Sequence, residues 1–339
     1  MTLHDLNDMQ RYLVEEEAEK WHEGRITRRE LMRRVSLLVG GAAAASSVLV
    51  TLGCGPNSPE VAPAATSTNV APVATQMTDP PPASDATPTT GQAGTSPNHV
   101  PENDPSVRAE MVDITSPDAG VKLRGYLAVP AVPRMGALKP AGVLVIHENK
   151  GLTDHIKDVV RRFAKAGYTA LAVDLVSRQG GSEAHPDEAE RTGILGQLTP
   201  EQIISDLSAG LDHLKGAAEA NPDRLAVIGF CFGGGYTWRI ATKRPDLKAG
   251  AAFYGPNPPL EDVPNIKAAM LGIYGGNDTR ITGQVPALED ALKKAGVKYE
   301  MKIYDGAEHA FHNDTTPRYN AAAAQDAWAK TLEWFSSNL

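Results

Sequence analysis

Six short apolar segments alternate with helical patterns in the C-terminal part of this chain, and they constrain its fold more than any other feature. They are GVLVIHE, YTALAVDL, RLAVIGF, LKAGAAFYG, AAMLGIYGG and KYEMKIYD, at residues 142–148, 168–175, 224–230, 247–255, 268–276 and 298–305. Short runs that are apolar throughout are typical of strands buried on both faces of a parallel sheet. Two earlier segments, MVDITSP and VKLRGYLAVP, predict an antiparallel pair at the sheet edge. The alternation predicts an α/β fold whose mostly parallel central sheet has helices on both faces.

The N-terminal segment has the pattern of an export signal. A basic stretch, TRRELMR, precedes a 16-residue apolar run at 37–52, which is shorter than the roughly 20 residues that a spanning helix needs. The pair Arg28–Arg29 resembles a twin-arginine signal; an ordinary export signal and a retained anchor are the alternatives. We predict that residues 1–54 are a signal region outside the fold, and that the protein is exported to a bacterial periplasm or cell envelope.

The apolar run ends in TLGCG, which resembles a lipoprotein processing site at Cys54, although the leucine stands two places before the cysteine rather than three. Lipidation of Cys54, and with it membrane anchoring, is therefore an open alternative. Residues 56–105 contain 11 of the 25 prolines and no lysine or arginine. Such a composition cannot bury enough apolar surface to offset its ordering entropy. We predict a disordered tether at 55–106 and a folded domain at 107–339.

Composition and motifs exclude several classes of protein. A net charge of −8 argues against a nucleic-acid-binding protein, which usually presents a basic face. The segment GFCFGGG lacks the spacing of a phosphate loop, and the H-x-x-H pair at His309 and His312 has no further ligand cluster. We expect no cofactor and no metal. The expected partner is a small molecule, and we expect a monomer, although the oligomeric state stays open.

Cys231 lies at the tip of a glycine-rich turn between a predicted strand and a predicted helix, with Gly229 and Gly233 in a G-x-[SC]-x-G pattern. A nucleophile on such an elbow needs small neighbours, and the following helix N-terminus is expected to lower the pKa of the thiol. An inert buried cysteine is the alternative. The other cysteine, Cys54, lies in the export segment, so separate roles are favoured over a disulfide.

Asp278 and His309 follow predicted strands in the chain order nucleophile, acid, histidine. Because the carboxyl ends of parallel strands meet at one sheet edge, we expect both residues near Cys231. The three residue types in this order predict a nucleophile, a base and the acid that orients the base.

Four motifs, HENKGL, GFCFGG, GGNDTRI and GAEHAF, occur in this order, and the chain from about Met111 onwards resembles the dienelactone hydrolase family, an α/β-hydrolase branch that uses cysteine. The resemblance implies a carboxymethylenebutenolidase-like hydrolase of esters or lactones. It implies that Glu148 contacts the resting thiol and helps to generate the thiolate. The backbone N–H groups of Asn149 and Phe232 are then expected to form the oxyanion hole.

One position departs from the family. Asn313 stands where dienelactone-specific members have an arginine for the substrate carboxylate, so the substrate can differ. Arg191 and Tyr254 are candidate substrate-binding residues, although a surface charge and a packed ring explain them equally well. An exported binding protein on a hydrolase scaffold and a thiol-based redox protein are the alternative functions.

Overall fold

The computed structural model describes residues 2–55, 95–132 and 139–339. Its strands are β1 (Val107–Thr115), β2 (Lys122–Pro130), β3 (Ala141–Ile146), β4 (Thr169–Val173), β5 (Asn221–Phe230), β6 (Ala249–Phe253), β7 (Ala269–Gly275) and β8 (Tyr299–Tyr304). They form one sheet in the order β1-β2-β4-β3-β5-β6-β7-β8. The β1–β2 and β2–β4 pairs are antiparallel and all the others are parallel. The predicted α/β fold, with a mostly parallel sheet, is confirmed.

Helices precede the sheet and connect its strands. They are α1 (Asp8–His22), α2 (Arg28–Val39), α3 (Ala42–Thr51), α4 (Asp154–Lys165), α5 (Glu188–Gln197), α6 (Pro200–Gly216), α7 (Phe232–Lys243), α8 (Thr279–Thr282), α9 (Val285–Ala295) and α10 (Ala321–Asn338). Local sequence explains where they begin. At α6, for example, Thr199 and Gln202 form a capping box around Pro200, and proline is favoured there because the first helical N–H needs no partner.

Helices cover both faces of the sheet. On one face α4 and α10 meet through the ring of Phe163, whose centroid lies 4.6 Å from Trp328 and 5.9 Å from Phe335. On the other face α6 and α7 contact each other and β5. Burying each such aromatic side chain contributes about 1.5–3 kcal/mol. The carboxyl ends of β3, β5, β7 and β8 are therefore held at one edge of a rigid sheet.

The N-terminal helices pack against this domain. Leu13, Trp21, Leu31 and Val35 are buried and belong to the same hydrophobic cluster as the central strands. Helix α2 lies on α5, and α1 contacts both of them. This differs from the expectation that residues 1–54 lie outside the fold, because apolar side chains at helical spacing give these charged helices a packing face. Their role as an export signal stays a prediction.

Most of the predicted tether, residues 56–94, lies outside the described residues. Its last part is described and lies on the domain, unlike a free tether. The N–H of Ser96 donates to Asp314 Oδ2 (3.0 Å), and the N–H of Val100 donates to Asp158 Oδ1 (2.7 Å).

Within the described ranges, no single helix has the length and apolar character to cross a membrane. Helices α2 and α3 pass that test only together, and they are bent by 110° where they meet.

Candidate active site

Cys231 occupies a strained turn between β5 and α7. Its φ is 58° and its ψ is −118°, a conformation that costs a non-glycine residue free energy and is typical of functional sites. A Cβ at Gly229 would lie 2.1 Å from the carbonyl oxygen of Gly233, and a Cβ at Gly233 would lie 2.3 Å from that of Ile146. Glycine is therefore required on both sides of the cysteine, as the sequence pattern predicted.

His309 and Asp278 form a buried hydrogen-bonded pair beside this turn. His309 Nδ1 lies 2.5 Å from Asp278 Oδ2. His309 Nε2 and Asp278 Oδ1 are also buried and have no hydrogen-bond partner among the described residues. Cys231 Sγ and a ring nitrogen of His309 lie within 4.8 Å of each other. The structure thus brings together the three residues that the strand ends predicted, without a hydrogen bond between the thiol and the imidazole.

The thiol of Cys231 instead forms hydrogen bonds with two side chains of helix α1. Tyr12 Oη lies 3.1 Å from Sγ, and Sγ donates to Glu16 Oε2 over 3.5 Å. One arrangement satisfies both contacts: the tyrosine hydroxyl donates to sulfur, and the thiol hydrogen points at the carboxylate. Cys231 is only 3% exposed in this state.

The electrostatic environment favours the neutral thiol. Burial raises the pKa of Cys231 well above its ordinary value, and the charges of Glu16 and Glu148 raise it further. Hydrogen bonds from Tyr12 and from the backbone N–H of Phe232 act in the opposite direction but are outweighed. The lowered thiol pKa expected from the helix N-terminus is therefore not found in this state.

Glu16 itself is held as a carboxylate. Burial opposes its ionised form, but the charges of Lys20, His309 and Arg280 together keep the pKa of Glu16 well below its ordinary value. Lys20 Nζ lies 3.0 Å from Glu16 Oε1.

Glu16, Cys231 and His309 also offer the donor types that a zinc ion accepts, within 4.8 Å of one another. Lys20 already supplies a balancing positive charge there.

The loop after β3 carries Glu148 and Asn149, both buried. Glu148 Oε2 accepts from Asn313 Nδ2 (2.8 Å), and Oε1 has no hydrogen-bond partner among the described residues. Asn149 Nδ2 donates to Glu16 Oε1 (3.2 Å). Asn313 therefore holds the carboxylate of Glu148, a role that the sequence did not predict for it.

Tyr254 lines the same region. Its φ is 38°, its ring centroid lies 5.1 Å from that of His309, and its buried hydroxyl has no partner within the described part of the chain. Burial, and then the charges of Glu148 and Cys231, raise the pKa of Tyr254 well above its usual value.

Two other predicted residues lie outside this cluster. The guanidinium of Arg191, in α5, donates to the backbone carbonyls of Lys150 and His185 and so braces the loop after β3. Cys54 is buried, its Sγ lies 3.6 Å from His22 Nε2, and both cysteines are free thiols. Substrate contact by Arg191 and lipidation of Cys54 stay predictions.

His312 is a core residue. Its ring stacks on Phe230 with centroids 5.2 Å apart. Burial, and then the charges of Arg162 and His155, hold the pKa of His312 well below its ordinary value, so it is neutral.

Sequence analysis missed Tyr12 and Glu16. The signal that could have found them is a stripe of residues three or four apart in α1, which consists of Met9, Tyr12, Leu13 and Glu16 and is buried along its length. Such a stripe predicts that one face of the helix is buried, but it does not predict which surface buries it.

Comparison with known proteins gives the same family as the motifs. The sequence pattern of the Dienelactone hydrolase family matches residues 123–339. Proteins provisionally named carboxymethylenebutenolidase are 35% identical over 253 residues in Salmonella typhimurium (70% of this chain, 90% of the relative) and 37% identical over 220 residues in Methylorubrum extorquens (61% and 75%).

Comparison with solved structures also points to this family. A provisionally named dienelactone hydrolase from Klebsiella pneumoniae has a TM-score of 0.60 at 30% identity, over 68% of this chain and 99% of its own. A dienelactone hydrolase-like promiscuous phosphotriesterase from metagenomic libraries has a TM-score of 0.57 at 26% identity, over 69% and 99%. The chain belongs to the dienelactone hydrolase family.

Proposed function

We propose that this protein hydrolyses ester or lactone bonds of small molecules, through a thiol acyl-enzyme on Cys231. The observation that carries the proposal is the buried His309–Asp278 pair within reach of a thiol on a strained elbow. The names of the curated relatives, carboxymethylenebutenolidases, support an ester or lactone substrate. A thiol nucleophile suits activated esters and enol-lactones, because their leaving groups are stable anions.

The reaction proceeds in two halves. The proton of Cys231 passes to His309 Nε2, and Asp278 stabilises the imidazolium that forms. Sulfur bonds to the carbonyl carbon, and the oxyanion accepts hydrogen bonds from the N–H groups of Asn149 and Phe232. As the C–O bond breaks, the leaving alkoxide takes the proton from His309. His309 then accepts a proton from water, whose oxygen attacks the thioester carbonyl carbon. As the C–S bond breaks, His309 returns this proton to sulfur, which releases the acid and restores the thiol.

Glu148 assists the first step in this proposal. Its buried Oε1 has no hydrogen-bond partner among the described residues and its charge acts on the thiol, so it can accept a hydrogen bond from the thiol as substrate enters, before the proton passes to His309. Tyr254 lies against His309 and contributes a wall of the substrate site. Arg191 supports the substrate site through its hydrogen bonds to the loop after β3, and its direct contact with substrate stays a prediction.

The test is turnover of a panel of aryl esters, lactones and one phosphotriester, because one relative is named a phosphotriesterase. The assay uses the full chain and a Leu13→Asp variant, because α1 covers the thiol in the full chain. Leu13 is fully buried, so an unpaired carboxylate at this position should detach α1 from the domain. We expect Cys231→Ala to abolish turnover and Cys231→Ser to retain a small remainder. Full activity in Cys231→Ala would refute the proposal. A pure binding protein would turn over nothing, and a redox protein would consume peroxide instead.

Export is the second part of the proposal. The Arg28–Arg29 pair and the apolar run behind it support a twin-arginine route, which carries folded proteins. Processing immediately before Cys54, with or without lipidation, would then place the domain in the periplasm or at the cell envelope.

A further inference from the structure

We propose that helix α1 is an internal ligand of the active site: in the full chain it occupies the place of the substrate, and it has to leave before turnover. The inference rests on the proposed function for what the helix displaces, but its occupancy of the site can be measured without any hydrolysis.

The first argument is the contact at the nucleophile. Tyr12 and Glu16 take both hydrogen-bonding directions of the Cys231 thiol, at 3.1 and 3.5 Å. The thiol proton therefore points at α1 rather than at His309. Cys231 is 3% exposed and His309 6% exposed. A carbonyl carbon cannot reach sulfur while the phenol and the carboxylate stand there.

The second argument is the shape of the surface that receives the N-terminal helices. In α5, a Cβ at Gly193 would lie 2.7 Å from Leu37 Cβ, and a Cβ at Gly196 would lie 2.4 Å from Leu38 Cδ2. These two glycines of α5 thus permit close approach of α2, on which α1 packs.

The third argument is charge. The guanidinium of Arg280, two residues after Asp278, lies 4.7 Å from the ring centroid of Tyr12, and its Nε lies 3.4 Å from Glu19 Oε2. Its Nη1 and Nη2 are buried without a hydrogen-bond partner in the described ranges. Arg280 therefore meets an aromatic ring and a carboxylate from α1, groups that an anionic aryl ester would also present.

The fourth argument is where the helix belongs in the chain. Helices α1, α2 and α3 all precede Cys54. Cleavage immediately before Cys54, as at a lipoprotein processing site, would remove all three and expose Cys231. The hydrolase would then be closed before export and open after it.

The experiment compares full-length proteins. The variants are Tyr12→Ala/Glu16→Ala and Leu13→Asp, and the matched control is Glu23→Ala, because Glu23 is exposed and its ion pair, with Arg25, stays within the N-terminal segment. The readouts are the rate of Cys231 alkylation by iodoacetamide, resolved from Cys54 by peptide mass spectrometry, and kcat/KM for an aryl acetate. Hydrogen exchange of the β5 amides reports whether the domain stays folded.

We expect both variants to alkylate Cys231 at least tenfold faster than the wild type and the control, with β5 protection unchanged. Wild-type rates in both variants would overturn the proposal. Loss of β5 protection in both would also overturn it, because α1 would then be part of the fold rather than its ligand. Faster alkylation without ester turnover would leave the occupancy proposal standing and refute the proposed hydrolase function.

Discussion

The Asp278→Asn substitution tests the proposed role of the acid in orienting His309. Asparagine keeps the shape of the side chain but removes the charge at 2.5 Å from His309 Nδ1. A hydrogen bond to a charged group contributes about 1.5–3 kcal/mol, which sets a lower limit of roughly tenfold on the loss of rate. The second oxygen, Oδ1, has no partner in the described part of the chain, so nothing selects the orientation of the new amide.

If the amide NH2 faces Nδ1, His309 carries its proton on Nε2 and cannot accept one from Cys231. The same substitution in serine-protease triads lowers kcat about 10⁴-fold, so we expect a loss of 10²- to 10⁴-fold, or about 3–5.5 kcal/mol in activation free energy. The assay is kcat for an aryl acetate in the Leu13→Asp background. The matched control is Asp305→Asn, an exposed aspartate just after β8. A loss of less than about fivefold would refute the assignment of Asp278.

Four further predictions follow from individual contacts. Glu148→Gln removes a charge that raises the pKa of Cys231, so alkylation should become faster at neutral pH while ester turnover falls; an unchanged alkylation profile would reduce Glu148 to a structural residue. Gly233→Ala places a methyl group against two backbone carbonyls and should cost about 1–3 kcal/mol or more in denaturant unfolding, whereas Gly216→Ala, with no atom within 4 Å, should not destabilise the protein. Replacing Arg28–Arg29 with lysines should retain the protein in the cytoplasm on fractionation, and unchanged export would contradict the twin-arginine route. Raising NaCl from 0.05 to 0.5 M should speed alkylation of the wild type several-fold, because exposed ion pairs add to the apolar contacts that hold the N-terminal helices and salt screens them; a salt-independent rate would contradict a contribution from these pairs.

The sheet could be predicted from sequence because its signals are local. Each central strand is a short apolar run, and the elbow has a glycine pattern whose steric reason is visible at Gly229 and Gly233. The order of Cys231, Asp278 and His309 along the chain predicts their meeting, because parallel strands bring their carboxyl ends to one edge.

The state of the thiol could not be predicted in the same way. The N–H of Phe232 does lower the pKa of Cys231, as a helix N-terminus should. The net direction is set by burial and by Glu16, which lies 215 positions away in the chain. The packing of α1 was missed for the same reason. Its composition is highly charged, and the surface that receives it is assembled from α5, the elbow and the loop after β3.

The character of the interface between α1 and the domain bears on whether the helix can leave. An obligate interface is usually apolar, whereas one that opens carries more polar and charged groups. Among the residues that the structure describes, three ion pairs cross from the N-terminal helices to the domain: Asp8–Arg239, Glu19–Arg280 and Arg33–Asp187. At least one member of each is well exposed or partly so, and such pairs contribute only about 0–1 kcal/mol each. Glu16 reaches the thiol together with its own counterion, because Lys20 is one turn along the same helix. When α1 leaves, the Glu16 carboxylate therefore moves together with this counterion and is not left as an unpaired buried charge. The free-energy cost of separating α1 from the domain comes mainly from the lost apolar contacts of Leu13 and its neighbours.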